Sequence, residues 1–327
     1  MSLLSVRGIS KKVGEDFVLQ DITFSQDRFQ KIAIAGETGS GKSTLLKIIG
    51  GLLQPDAGEV LFEDERVLGP EEKLIPGHSR IAFLSQYFEL RNNYRVEELL
   101  EMANKITPKE AEAICKVCQI DHLLKRKTDH LSGGEKQRIA VARVLINSPK
   151  VLLLDEPYSN LDMVHKRILK SVIHELSEKL KITCIMVSHD PLDTLSWADE
   201  IIIMKSGQIV QKGTPEEMYN RPLNEYAAGL FGNYHLLSAK QASAFTLPAA
   251  IKQNGATVFV RPEQFKVASD EQGAVMGEVV TTRFFGSYFE TDIMLYDIVV
   301  TMKTDERVGA KGELLYVSLK AGNLWYL

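Results

Sequence analysis

The chain has 327 residues, 44% hydrophobic and 25% charged, a composition ordinary for globular proteins and unlike that of disordered or fibrous chains. Lys and Arg total 39 against 43 Asp and Glu, a net charge of −4, so the basic excess of a general nucleic-acid or anionic-membrane binder is missing. Cys115, Cys118 and Cys184 are too few for a disulfide scaffold and suit a reducing compartment. Apolar runs such as 151–154 and 201–203 are far shorter than the ~20 residues of a membrane span, and no secretory signal pattern is expected at the N-terminus. The length predicts about two domains.

Up to about residue 230, short apolar runs alternate with helix-period segments, which predicts strands interleaved with helices around a largely parallel sheet, an α/β fold. The runs are 31–35, 81–84, 151–154 and 182–187, nearly unbroken as in strands covered on both faces. The first leads into Gly36-Glu37-Thr38-Gly39-Ser40-Gly41-Lys42-Ser43-Thr44, then a helix striped by Leu45, Leu46, Ile48, Ile49 and Leu52. Such a glycine loop turns backbone N–H groups onto phosphate oxygens at a helix N-terminus. Lys42 is placed to reach the β- and γ-phosphates and the Ser43 hydroxyl to bind Mg²⁺.

The stretch from Val96 to Leu124 is polar, helical in period and broken at Thr107-Pro108, which predicts a helical lobe inserted at about 87–145. Within it, Leu131-Ser132-Gly133-Gly134-Glu135 precedes a helix and makes a second anion-facing surface. One nucleotide needs one phosphate loop, so this surface suits a nucleotide held by another subunit. Next, Val151-Leu-Leu-Leu-Asp155-Glu156-Pro157 ends an apolar strand in two carboxylates. Ligands of such sheets bind outside the carboxyl ends of the strands, where Asp155 suits holding Mg²⁺ and Glu156 suits polarising the attacking water. An apolar stripe at Val164, Ile168, Leu169, Val172, Ile173, Leu176 and Leu180 predicts a helix before the 182–187 strand.

From about 236 the helical period gives way to short alternating runs at 256–260, 278–281, 288–295, 297–301 and 314–317, with Gly255, Gly273, Gly277, Gly286 and Gly312 read as turns of a compact antiparallel barrel. The expected domains are therefore 1–235 and 236–327.

The phosphate loop, Leu-Ser-Gly-Gly-Glu, the Asp-Glu pair, Ser159-Asn160-Leu161-Asp162 and Ser188-His189 stand in the order and approximate spacing of ABC-type ATPases, and residues 3–230 resemble that family. The resemblance implies a P-loop cassette that pairs head to tail around two ATP molecules, as a homodimer or with a second cassette. It implies that Ser132, Gly133 and Gly134 of one chain touch the γ-phosphate held by the other, and that Asp162 links the two sites. Gln86 matches the glutamine that senses Mg²⁺ and the attacking water, and His189 the histidine on the γ-phosphate. Val13 stands at the usual position of an aromatic residue that stacks on adenine. Phe17 is the alternative there, with a half-buried strand position as its ordinary role. Glu135 replaces the more usual glutamine.

Glu217 to Pro222, Ala227 to Gly232, Val260-Arg-Pro-Glu263 and Phe284-Phe-Gly-Ser287 resemble importer ATPases that carry a small C-terminal OB-like domain. Lys and Arg do not outnumber Asp and Glu from residue 236 onward, so nucleic-acid binding by this domain is not expected. The expectation is an ATP-hydrolysing importer subunit, peripheral at the cytoplasmic face of the membrane, with integral permease subunits and an external solute-binding protein as partners. An exporter ATPase and a soluble ABC ATPase acting on nucleic acid or ribosomes are the alternatives. Tyr87, Phe88 and Leu90 read equally as a face for a membrane subunit or as packing in the lobe. The 86–96 stretch lacks the proline common in importer ATPases. Cys115 and Cys118 have metal-like spacing but no second ligand pair.

Overall fold

The computed structural model describes residues 2–85, 90–159, 161–180, 182–245, 257–269, 273–320 and 325–327, with the backbone only for 176–180. The expected runs form strands. In chain order the first part contains β1 (Ser2–Val13), β2 (Asp16–Asp27), β3 (Lys31–Ala35), α1 (Lys42–Ile49), β4 (Ala57–Phe62), β5 (Glu65–Arg66) and β6 (Ile81–Leu84). There follow α2 (Val96–Glu101), α3 (Pro108–Val117), α4 (Gly133–Leu145), β7 (Val151–Asp155), α5 (Met163–Leu180), β8 (Thr183–Val187), α6 (Pro191–Thr194), β9 (Glu200–Lys205) and β10 (Gln208–Gly213).

The main sheet has the order β10-β9-β3-β8-β7-β6, parallel except for β10. Every residue of β7 and β8 is buried, as a sheet covered on both faces requires. The order sets β3, β8 and β7 side by side, so the segments that leave their carboxyl ends, at residues 36, 188 and 156, emerge next to one another. That adjacency positions the site.

A second sheet, β2-β1-β4-β5, is antiparallel and was not foreseen. Its inward residues, Leu4, Val6 and Ile9 on β1 and Leu19, Ile22 and Phe24 on β2, do not keep a strict period of two because register shifts interrupt the pairing. Leu45, Leu46, Ile48 and Ile49 of α1 lie in one apolar cluster with residues of both sheets, which fixes the helix that opens at the glycine loop. The α5 stripe also begins later than expected. Leu169, Val172 and Ile173 are buried, but Val164 is exposed, because the first turn of α5 is held by polar contacts from Asp162 and Lys166.

The inserted lobe consists of α2, α3 and the start of α4. Cys115 and Cys118 are buried free thiols on α3 and at its C-cap, and burial pushes both up from the ordinary thiol value. Among the described residues no group of three or more His, Cys, Asp or Glu side chains is placed to hold a metal ion, so the two thiols have no further such ligands beside them. Thr107 caps α3, its hydroxyl accepting from the Glu110 N–H while Pro108 opens the first turn.

The chain divides into compact units at Met1–Met218 and Tyr219–Leu327, earlier than the sequence boundary at 235. After α7 (Pro215–Asn220), the second unit holds α8 (Glu225–Leu230), β11 (His235–Leu237), α9 (Ala239–Ser243), β12 (Val258–Val260), β13 (Phe265–Ala268), β14 (Val275–Phe284), β15 (Phe289–Leu295), β16 (Ile298–Thr304), β17 (Leu314–Leu319) and β18 (Trp325–Tyr326). The earlier division has a physical cause in Arg261, 1% exposed, which donates to the carbonyls of Tyr219, Ala228, Gly232 and Asn233 and lies over the Tyr219 and Phe259 rings. One side chain thereby gathers residues 219–233 onto β12.

The strands form two antiparallel sheets, β11-β12-β18 and β13-β17-β14-β15-β16, whose inward residues share one apolar core. This β-rich unit is consistent with an OB-like domain. Gly277 is not a turn. It lies within β14, where a Cβ would come within 2.4 Å of Leu295 and 2.6 Å of Ile293, so close packing of β15 demands glycine there.

Candidate functional site

The loop between β3 and α1 closes in a tight path that only glycine allows at its end. Gly41 caps α1 with φ 96°, and a Cβ there would lie 2.5 Å from the Val18 carbonyl oxygen. Lys42, the first residue of α1, bends back into the loop and donates to the carbonyls of Gly36 (2.9 Å) and Glu37 (2.7 Å), with the Ser40 hydroxyl at 3.4 Å. Burial draws the Lys42 ammonium below the ordinary lysine value, against the opposing pull of Glu156, Asp155 and Glu37.

The carboxylates of β7 arrive beside it. Ser43 Oγ donates to Asp155 Oδ1 at 2.8 Å, which joins the first turn of α1 to the end of β7. Burial pushes the Asp155 carboxyl above the ordinary aspartate range, and the Ser43 bond offsets this only in part. Glu156 takes φ 47°, a left-handed conformation that costs a non-glycine residue of order 1 kcal/mol or more. It is held there by its N–H on the Val187 carbonyl (3.0 Å) and by the Ser159 hydroxyl on its own carbonyl (2.8 Å). The turn aims its carboxylate at the exposed His189, whose Nδ1 lies 3.2 Å from Glu156 Oε2. Val18, Thr38, Gly39, Gly41, Lys42, Ser43, Thr44 and Glu156 line a cleft of about 280 Å³.

Ser132, Gly133 and Gly134 belong to a different cluster. Ser132 caps α4, its hydroxyl accepting from the Glu135 N–H while the Glu135 carboxylate accepts from the Ser132 N–H. The glutamate found where glutamine is more usual therefore completes a capping box. Asp162 caps α5 through the N–H groups of Val164 and His165, both 2.9 Å away, and pairs with His165 Nδ1 at 2.6 Å. The backbone and side-chain bonds from His165 hold the Asp162 carboxyl below its usual range. A Cβ on Gly134 would stand 2.2 Å from the His165 ring, so that ring packs directly on the helix start. His165 was missed in the sequence; the Asp-x-x-His spacing across a helix start was the available signal.

The structure thus brings together Lys42, Ser43, Asp155, Glu156 and His189 in one place, and Ser132, Gly134 and Asp162 in another. Gln86, Tyr87 and Phe88 lie outside the described residues. Phe17 lies on β2. It is 46% exposed, with Lys12 Nζ 4.4 Å from its ring centre, while Val13 is 68% exposed.

A glycine loop with its lysine between a parallel strand and a helix, beside paired carboxylates on a neighbouring strand, defines a P-loop nucleoside-triphosphatase. The ABC transporter family profile matches residues 19–159. The chain is 31% identical over 310 residues to the spermidine/putrescine import ATP-binding protein PotA of Clostridium acetobutylicum, covering 89% of this chain and 87% of that one. It is 31% identical over 286 residues to the glucose import ATP-binding protein GlcV of Saccharolobus solfataricus, covering 83% and 81%. The sulfate/thiosulfate import ATP-binding protein CysA of a Synechocystis strain is likewise 31% identical over 310 residues, with 91% and 86% covered. Among solved structures, cbiO1 from Clostridium perfringens, part of the ABC transporter complex cbiONQ, superimposes with TM-score 0.59 at 29% identity over 66% of this chain and 90% of that one. An ATP-binding cassette solved as a dimer in a post-hydrolysis state with ADP and Pi gives 0.56 at 27% identity over 65% and 98%. The chain belongs to the ABC transporter family, as an ATP-binding, ATP-hydrolysing subunit of the type that energises import.

Burial makes the Asp155 carboxyl bind its proton more tightly than a free aspartate does. The folded state holds that proton more tightly than the unfolded one, so the stability linked to Asp155 is complete below the ordinary value of 3.8 and falls as pH rises through the folded value. Asp155→Asn keeps an oxygen for Ser43 and removes the buried charge. It is expected to raise the Tm at pH 7; a Tm equal to or below that of the native chain would contradict this.

Proposed function

We propose that ATP lies in the cleft at the start of α1 and is hydrolysed there by in-line attack of water. The observation that carries the reading is the convergence of Lys42, the Ser43–Asp155 pair and the Glu156–His189 pair at the ends of three adjacent strands. On this reading Lys42 exchanges its loop carbonyls for the β- and γ-phosphate oxygens, and backbone N–H groups of residues 36–44 cradle the phosphates. Glu156 polarises the water, and His189 contacts the γ-phosphate and holds Glu156 in line. Gln86 senses the same water.

The donor set fits Mg²⁺. A hydroxyl and a buried carboxylate within 2.8 Å are hard oxygens, and an unbalanced negative charge at Asp155 is costly. Ser43 and Asp155 would hold the ion with ATP, Gln86 being the third proposed ligand, and the ion would supply charge neutralisation on the β- and γ-phosphates.

Two cassettes pair, we propose, so that Ser132, Gly133 and Gly134 at the start of α4 meet the γ-phosphate in the opposite chain and Asp162 links the two sites. The 13-residue α4 directs its N-terminus through this segment, which suits an anion. Closing and reopening of the pair drives integral permease subunits, with the cassettes peripheral at the cytoplasmic face and an external solute-binding protein delivering the solute. Among the described residues no helix is long and apolar enough to cross a membrane. The relatives are named for a polyamine, a sugar and an oxyanion, in keeping with solute choice lying on the membrane partners.

Exposed Phe17 adjoins Val18, which lines the cleft, and is proposed to stack on adenine. Calorimetry with Phe17→Ala should show ATP affinity weakened about five- to tenfold, the cost of one stacked ring; unchanged affinity would exclude the stacking. Glu156→Gln should keep ATP binding, lower steady-state hydrolysis by about 10²-fold or more, and favour an ATP-bound dimer in sizing chromatography. Near-normal turnover in the purified variant would overturn the role given to Glu156.

A further inference from the structure

The segment that carries Glu156 and the segment that carries His189 are both tied to α5 by charges that no motif called for. Asp193 on α6 is 3% exposed. Its Oδ1 lies 3.0 Å from Lys166 Nζ and 2.6 Å from Lys170 Nζ, both on α5, and its Oδ2 accepts from the Ser188 hydroxyl at 3.2 Å. The same hydroxyl accepts from the Asp190 N–H at 3.1 Å, and Lys166 also pairs with the Asp190 carboxylate at 2.5 Å. Of the residues on both sides of His189, Ser188 is thus bonded directly to this buried carboxylate and Asp190 is linked to it through Ser188 and Lys166. Lys170 additionally stands 5.7 Å from the ring centre of Tyr158, a buried residue two positions past Glu156.

A buried carboxylate costs several kcal/mol of desolvation, and replacing a paired one by apolar groups is often neutral or favourable for stability. Stability therefore explains the cluster poorly. Its geometry has another consequence. His189 is exposed, with a side-chain accessibility of 64%, so packing does little to fix its ring. The distance to Glu156 is set by backbone at 187–190, and the Glu156 N–H is itself bonded at Val187. α5 begins immediately after Asp162, so the helix that carries both lysines starts at the segment proposed to link the two nucleotide sites.

We infer that Asp193, with Lys166 and Lys170, is a positioning group for hydrolysis: it holds the 188–190 backbone so that His189 stays on Glu156, and couples that pair to the Asp162 end of α5. The inference rests on the roles proposed above for Glu156 and His189. Misplacement of a reacting group by about 1 Å costs up to about a hundredfold in rate, so the effect falls on kcat and not on nucleotide affinity.

The test is ATP hydrolysis by the full chain, with ATP binding measured separately by calorimetry. Asp193→Asn should lower kcat about tenfold to a hundredfold with the ATP Kd within about twofold, and Asp193→Glu should recover most of the loss. In a Glu156→Gln background, where residual turnover no longer depends on the pair, Asp193→Asn should add no further loss. A folded Asp193→Asn with native kcat, or one that loses the same factor in both backgrounds, overturns the inference. If Asp193→Asn fails to fold, Lys170→Met at the rim of the cluster carries the same expectation: a lowered kcat supports the inference and a native kcat overturns it. Normal turnover in Glu156→Gln alone would remove the reading on which the cluster's role rests, and the inference with it. A dead Glu156→Gln beside a fully active Asp193→Asn would remove the inference alone.

Discussion

The hydrogen bond from Ser43 to Asp155 joins the first turn of the helix after the glycine loop to the end of a strand two places away in the sheet. Most of the first unit serves to make that bond possible. Neither residue could reach the other without α1 lodged between two sheets through Leu45, Leu46, Ile48 and Ile49, or without a fully buried β7 delivering Asp155 at its end. The strand order completes the arrangement, because β8 lies between β3 and β7 and brings His189 to the same edge.

The groups gathered there are each held at some cost. Asp155 is an ionisable carboxyl pushed up by burial, Lys42 an ammonium pulled down by it, and Glu156 a non-glycine residue in a left-handed turn. Each feature places charge or a polar group where the proposed phosphate chemistry would use it, and functional sites are the usual location of such strain. Arg261 in the second unit shows the opposite case. It is as deeply buried as any core residue, but its donors are spent on backbone carbonyls, and it acts as a structural tie.

The parallel strands and the loop were readable in the sequence because both are local: unbroken apolar runs, and a glycine loop directly followed by a helix-period segment. The antiparallel sheet was not readable, since register shifts between β1 and β2 break the alternation that marks half-buried strands. Gly277 was read as a turn because glycine punctuates loops far more often than it relieves crowding inside a strand. Of the site, the glycine loop and the carboxylate pair could be derived from the residues, whereas His189 and Asp162 rested on resemblance to a family. The contacts of His165 with Gly134, and of Asp193 with Lys166 and Lys170, join residues 31, 27 and 23 positions apart through packing that no local pattern encodes.

The central claim is that Ser43 and Asp155 make one cation-dependent phosphate site with Lys42. Calorimetric titration of ATP into Ser43→Ala, with and without Mg²⁺, tests it most directly. The account predicts that Mg²⁺ strengthens ATP binding to the native chain, that Ser43→Ala loses most of this gain, and that binding without Mg²⁺ stays within about twofold, because the backbone cradle is intact. The same gain from Mg²⁺ in both proteins would contradict it.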